Sequence, residues 1–297
     1  MLQLLETLQP VTGPFDPERV ADACEGLGDY GRATRKLFDR GLVPPDVLMG
    51  MAITLLAGQP RRHRGTAEDD LASPIEGGVW VREQVTIHRP CRIDEPWTIT
   101  GGTVRRFVRK GRRYGVNVAR TESPDGSAIV SNCMTSLISY RADGTIADGA
   151  EGLPEADVPV PPADATNPRV VEATQGMERL SSVEMTAALL QRRDGKRPLN
   201  PIHSDPERAR KAGLSAPIAG GSFVAAFALE LLMREWGPDV LLHGAHLDMQ
   251  WTSPTQAGDV ITPRVVVSSV TDDLITVAVT VDRAKMRGTI TIPRRLP

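Results

Sequence analysis

The segment LNPIHSDPERARKAGLSAPIAGGSF, residues 199–223, holds a lone histidine, His203, between Pro201 and Pro206. An imidazole suits general acid–base work because its unperturbed pKa lies near neutrality. The two prolines each fix a backbone angle, so the loop that carries the ring is stiff. Asn200 stands just before Pro201 and serves either to close an Asx-type turn or to orient His203. Asp205, ahead of PERARKAG, fits a helix N-cap, with Gly213 ending that short helix. Gly220, Gly221 and Ser222 then open a long apolar run. Backbone N–H groups at the start of a buried helix are unpaired and lie at its positive dipole end, which suits them to a carbonyl oxygen gathering negative charge. Glycines at 220 and 221 carry no side chain to keep such an oxygen away. The nearest upstream acid is Asp194, in QRRDGKRPLNPIH. It reads either as a carboxylate that works with His203 or as part of a solvated turn.

Other polar groupings carry less. RRFVRKGRRY, residues 105–114, sets six basic residues around an expected hairpin turn at Lys110–Gly111. That hairpin is either a solvated surface or a seat for phosphate groups. RRHRGTAEDD, residues 61–70, reads as a loop. His243, His246 and Asp248 are close in sequence but lack helical ligand spacing, so no metal site is expected. Met49 and Met51 read as core, although soft side chains also suit an acyl pocket. A glycine-rich phosphate loop, a nucleophile elbow and paired cysteines are all missing, which removes the commonest competing chemistries.

These residues need a frame. A chain of 297 residues allows one large domain or two of ordinary size, and its 40% hydrophobic content can supply a core. Lys and Arg number 35 against 37 Asp and Glu, so the net charge of −2 makes no case for nucleic acid or a membrane surface as partner. Cys24, Cys91 and Cys133 are widely spaced and match neither a disulfide framework nor a zinc site. The opening MLQLLETLQPVTGPF lacks the parts of a secretion signal. No stretch approaches the roughly 18 apolar residues of a membrane span. The longest apolar run, near 217–233, contains Glu230 and fits a buried helix. A soluble cytoplasmic protein is the expectation.

The Pro-, Ala- and acid-rich stretch 148–168 reads as a linker between halves 1–147 and 169–297. Each half has a proline-initiated apolar helix, expected at 42–58 and 214–236. Alternating strands follow each helix: 79–90, 95–111, 112–123 and 127–141 in the first half, then 245–254, 259–271, 274–283 and 287–293 in the second. HRPCRIDEPWTI (88–99) echoes TSPTQAGDVITP (252–263), which suggests a duplicated unit.

This repeated pattern and the segment 199–223 together resemble the MaoC-like hydratase/dehydratase family, which includes the (R)-specific enoyl-CoA hydratases. That family's motif runs D-x-N-P-x-H, D-P, A-G and P-I-x-H-G. Asn200, Pro201 and His203 match it, as do Asp205, Pro206, Ala212, Gly213, Pro217, Ile218 and Gly221. Two positions depart: Pro198 stands where the family has its carboxylate, and Gly220 where it has histidine. The resemblance implies an α+β double hot-dog, with two antiparallel sheets each wrapped round a long central helix. It implies that the second half carries the catalytic loop and that the first is a degenerate copy shaping an acyl pocket. It also implies cofactor-independent hydration or dehydration of an acyl thioester, on coenzyme A or a carrier protein, by a protein that could be a homodimer. His203 would be the base and Asn200 a positioning group, with Asp194 a substitute carboxylate. Gly220, Gly221 and Ser222 would bind substrate. Two further readings stay open: a non-catalytic thioester-binding scaffold, and a thioesterase or isomerase on the same fold.

Overall fold

The computed structural model describes residues 4–59, 79–139, 168–194, 201–211, 214–282 and 285–297. The expected linker lies outside these residues except for Pro168, as do the 61–70 loop and Asn200. In the first half, short strands β1 (Glu6–Thr7) and β2 (Val11–Gly13) precede α1 (Pro17–Gly26) and α2 (Arg32–Asp39). The apolar stretch follows as α3 (Pro45–Met49) and α4 (Met51–Ala57), then β3 (Val79–Ile87), β4 (Trp97–Arg109), β5 (Arg112–Glu122) and β6 (Ala128–Ser139).

The second half starts with β7 (Arg169–Val170), β8 (Glu178–Leu180) and β9 (Val183–Glu184). Helices α5 (Ala187–Asp194), α6 (Pro206–Lys211) and α7 (Gly221–Trp236) come next. Strands β10 (Ala245–Trp251), β11 (Val260–Ile261), β12 (Pro263–Val270), β13 (Leu274–Val281), β14 (Met286–Pro293) and β15 (Arg295–Leu296) end it.

The strands form an 11-stranded antiparallel sheet in the order β1-β4-β5-β6-β3-β10-β14-β13-β12-β8, with β2 also on β4. The two expected sheets are thus joined edge to edge where β3 meets β10, from Ala245 opposite Ile87 to Gln250 opposite Arg82. Helix α7 packs on β12 and β13, and α4 on β4, β5 and β6. One apolar core runs through both halves and includes Leu48 and Met49 of the first with Phe223 and Phe227 of the second.

Where the sequence predicts one long helix at 42–58, the chain breaks at Gly50. Glycine within a helix costs about 1 kcal/mol relative to alanine, and the break is supported from the sheet. Asn132 Nδ2 on β6 donates to the carbonyls of Leu48 and Met49 at 3.4 and 3.1 Å, and to Glu83 Oε1 at 3.2 Å. Glu83 is fully buried on β3, and burial pushes its carboxyl well above the usual range.

The halves also share a helix cap. Gly31 precedes α2 and has no side chain to receive its first N–H groups. Glu230, fully buried in the middle of α7, receives them instead: Ala33 N at 2.6 Å, Thr34 N at 3.0 Å and Thr34 Oγ1 at 2.8 Å. This explains the one charge in the apolar run.

Candidate active site

His203 ends a single 3₁₀ turn, Pro201–His203. Its Nδ1 lies 2.8 Å from the carbonyl oxygen of Ile218. A carbonyl only accepts, so Nδ1 carries the proton and the neutral ring keeps its lone pair on Nε2. The two segments are clasped further by Ile218 N donating to Ile202 O at 3.3 Å, and by Ala219 N donating to Thr255 O at 2.7 Å. Ile202 and Ile218 are both buried, with Val79 and Leu214 packed against them. The ring is thereby fixed in direction as well as place.

That direction is toward the start of α7. A Cβ added to Gly220 would lie 3.7 Å from His203 Nε2 and 3.8 Å from its Cε1. Gly220 is the N-cap residue, with φ −62° and ψ 149°, and no side chain caps the helix. The first intrahelical bond is Val224 N to Gly220 O, at 3.1 Å. The N–H groups of Gly221, Ser222 and Phe223 therefore have no partner within the helix. Ser222 lies in this first turn and is partly buried.

Gly221 differs from its expected part. An added Cβ there would meet Trp80 Cε3 at 2.9 Å and Trp251 Cε2 at 3.1 Å. The space beside Gly221 is already taken by two indoles, one from β3 and one from β10, so the missing side chain serves packing. Open space facing the histidine belongs to Gly220.

Asp194 is the last residue of α5 and is partly buried, which departs from the solvated-turn reading. Burial raises its carboxyl above the usual range, while the His203 ring, the Ser204 hydroxyl that bonds to it, Arg193 and Arg19 pull it back down. Its Oδ2 has no hydrogen-bond partner among the described residues. The helix end is anchored by Arg193, whose Nη1 lies 2.6 Å from Asp46 Oδ2 and donates to Ala23 O at 2.9 Å. The same guanidinium lies over the Phe223 ring, 5.3 Å from its centroid. Arg193 thus ties α5 to α1, α3 and α7. Sequence reasoning missed both Arg193 and Ser204; only the latter's place next to His203 was a signal.

Asn200 lies outside the described residues. Asp205 caps α6, its Oδ1 accepting Glu207 N at 2.8 Å and Arg208 N at 3.2 Å. His246 and Asp248 face Thr86 and Arg82 on the sheet. No group of three metal-ligating side chains occurs among the described residues. A cleft of about 320 Å³ between α1, α2 and α5 is lined by Glu25, Asp29, Arg35 and Arg192, with both signs of charge and without His203 in its lining.

Residues 196–286 match the MaoC like domain, and the match includes His203 and the start of α7. A solved structure described as a MaoC-like dehydratase aligns over 98% of this chain and 97% of its own, with 17% identity and a TM-score of 0.70. An oleoyl thioesterase (putative) from Lactobacillus plantarum aligns over 98% and 97%, with 13% identity and a TM-score of 0.58. A Mycobacterium tuberculosis protein described as having a double hot-dog fold aligns over 98% and 97%, with 14% identity and a TM-score of 0.57. Sequence comparison with curated proteins gives no match. The chain has the double hot-dog fold.

Proposed function

From a double hot-dog chain whose residues 196–286 match the MaoC like domain, we propose that this protein is a lyase that adds water to a 2-enoyl thioester, or removes it from the 3-hydroxyacyl thioester. The acyl group would ride on coenzyme A or a carrier protein. One observation carries the reading: the Nδ1–Ile218 hydrogen bond leaves the Nε2 lone pair of His203 facing the uncapped start of α7 across Gly220.

In the hydration direction, His203 Nε2 takes a proton from water as the oxygen attacks C3. Negative charge moves to the thioester oxygen, which the first N–H groups of α7 receive. C2 then gains a proton from the Asp194 carboxyl, and His203 returns its proton to Asp194. A carboxyl lifted by burial suits this exchange, because it holds a proton nearer to neutral pH than an exposed one. Asn200 is kept as a positioning group on sequence grounds alone. The first half contributes the wall of the acyl pocket and the Asp46 that anchors Arg193.

The test is turnover of a series of enoyl-CoA thioesters, followed by loss of the enoyl absorbance. His203→Ala should remove turnover. Asp194→Asn should lower it strongly, and the double variant should be little worse than either, because members of one unit are not additive. Full activity in His203→Ala refutes the mechanism. A second reading is hydrolysis, favoured by the likeness to a protein described as a putative oleoyl thioesterase. Release of free thiol without loss of the double bond would select it.

A further inference from the structure

We propose that the β4–β5 hairpin seats the phosphate of the phosphopantetheine arm on which the substrate arrives. This inference rests on the thioester reading above. Between residues 105 and 113 the chain places Arg105, Arg106, Arg109, Lys110, Arg112 and Arg113 with no acidic residue among them, although the whole chain carries a net charge of −2. Glu6 pairs with Arg106. Arg109, Lys110 and Arg112 are exposed at the tip.

The tip has a fixed shape. Lys110 and Gly111 have φ of 51° and 68°, the signs that a type I′ hairpin turn requires at both central positions. Behind the turn the rings of Phe107 and Tyr114 stack at 5.0 Å, with the Arg105 guanidinium 5.3 Å from the Phe107 centroid.

Strand register puts this tip at the His203 end of the sheet. Val79, the first residue of β3, packs against Ile202 beside His203. It pairs with Leu137 of β6, which pairs with Tyr114 of β5, which pairs with Phe107 of β4. Neighbouring strands lie about 4.8 Å apart, so Tyr114 is roughly 10 Å across the sheet from Val79. Trp80, the next residue of β3, touches the start of α7 at Gly221. The cationic tip thus projects beyond the end of the sheet at which His203 lies. The tip extends roughly a further 7–10 Å beyond Tyr114 at the ordinary strand rise, a gap for a pantetheine arm to bridge. Guanidinium groups pair with phosphate oxygens through two parallel hydrogen bonds, the recognition this ligand calls for. The phosphate can come from coenzyme A or from the phosphopantetheinyl serine of a carrier protein.

The test compares the full-length protein with the triple variant Arg109→Gln, Lys110→Asn and Arg112→Gln. Asparagine keeps the positive φ at 110 tolerable. Three thioesters of one enoyl group are used: on coenzyme A, on a carrier protein, and on pantetheine, which has no phosphate. The variant should lose on the order of tenfold in kcat/KM through KM with a phosphate-bearing thioester, and the loss should shrink in high salt. It should lose nothing with the pantetheine thioester. Loss with coenzyme A alone, or with the carrier alone, supports the proposal and names the source of the phosphate. Equal kcat/KM for both proteins on both phosphate-bearing substrates overturns it. If the wild type turns over none of the three, the lyase reading has failed instead. Calorimetric titration with coenzyme A and with the phosphopantetheinylated carrier protein then decides the hairpin separately: weaker binding of either by the variant supports it, and equal or undetectable binding of both refutes it.

Discussion

Gly220 and Gly221 are neighbours of the same type, and the structure assigns them opposite sensitivities. In Gly220→Ala the new methyl would lie 3.7 Å from His203 Nε2, an ordinary contact, on a backbone at φ −62° that any residue adopts. Folding should therefore lose less than about 1 kcal/mol. A reacting water held between the ring and Gly220 has no such room. It must sit about 2.9 Å from Nε2 to give up its proton, whereas a methyl keeps an oxygen at about 3.5 Å. A water lying between the ring and Gly220 would be pushed aside by the methyl, and a misplacement of about 1 Å costs about 10²-fold in rate, or about 2.7 kcal/mol. Gly221→Ala reverses the balance. Its methyl would meet Trp80 at 2.9 Å and Trp251 at 3.1 Å. Overpacking of this kind costs about 1–3 kcal/mol, offset by at most about 1 kcal/mol of helix propensity. Urea denaturation and initial rates on one enoyl thioester measure both quantities. Wild-type turnover by a well-folded Gly220→Ala protein would show that no reacting water lies between the ring and the helix. Unchanged stability of Gly221→Ala would refute the tryptophan wall.

Two further outcomes follow from buried charge. Glu83 holds its proton to a higher pH when folded than when unfolded, so the native state binds the extra proton and stability falls as pH rises from about 4.5 through the folded value. Glu83→Gln should match the wild type in acid and become the more stable protein as pH rises; parallel urea midpoints across pH 5–9 would refute this. Arg193→Met leaves the Asp46 carboxylate buried without its 2.6 Å partner, which should cost about 3–5 kcal/mol. Adding Asp46→Asn should recover part of that loss, and a second variant no more stable than the first would show that the pair does not interact.

Much of the frame was legible because it is written in local periodicity. The strands at 79–90 and 274–283 appear as Val79–Ile87 and Leu274–Val281, and the Lys110–Gly111 turn and the Asp205 cap stand where residue chemistry puts them. The break at Gly50 was not legible, because its compensation comes from Asn132, more than eighty positions away in the chain. Asp194 looked like a solvated turn for a similar reason. RDGKR carries no mark of the anchor from Arg193 to Asp46 or of the Ser204 hydroxyl. The meaning of Gly221 lay in two indoles from strands of different halves. Residue types named the chemistry at His203, but which nitrogen keeps the lone pair required the Ile218 carbonyl.

The cap that Glu230 provides sets an order of events during synthesis. Helix α2 leaves the ribosome without a group to receive its first N–H donors, and that group follows 197 residues later. At ordinary translation speeds the wait is on the order of ten seconds or more. Once β3 and β6 have been made and paired, β3 also keeps one bare edge until its other neighbour, β10, follows. A bare edge invites pairing with the wrong chain, so this protein passes through a vulnerable half-built stage each time it is made. Completion of the second half ends that exposure. It covers the edge of β3 and receives the donors of α2.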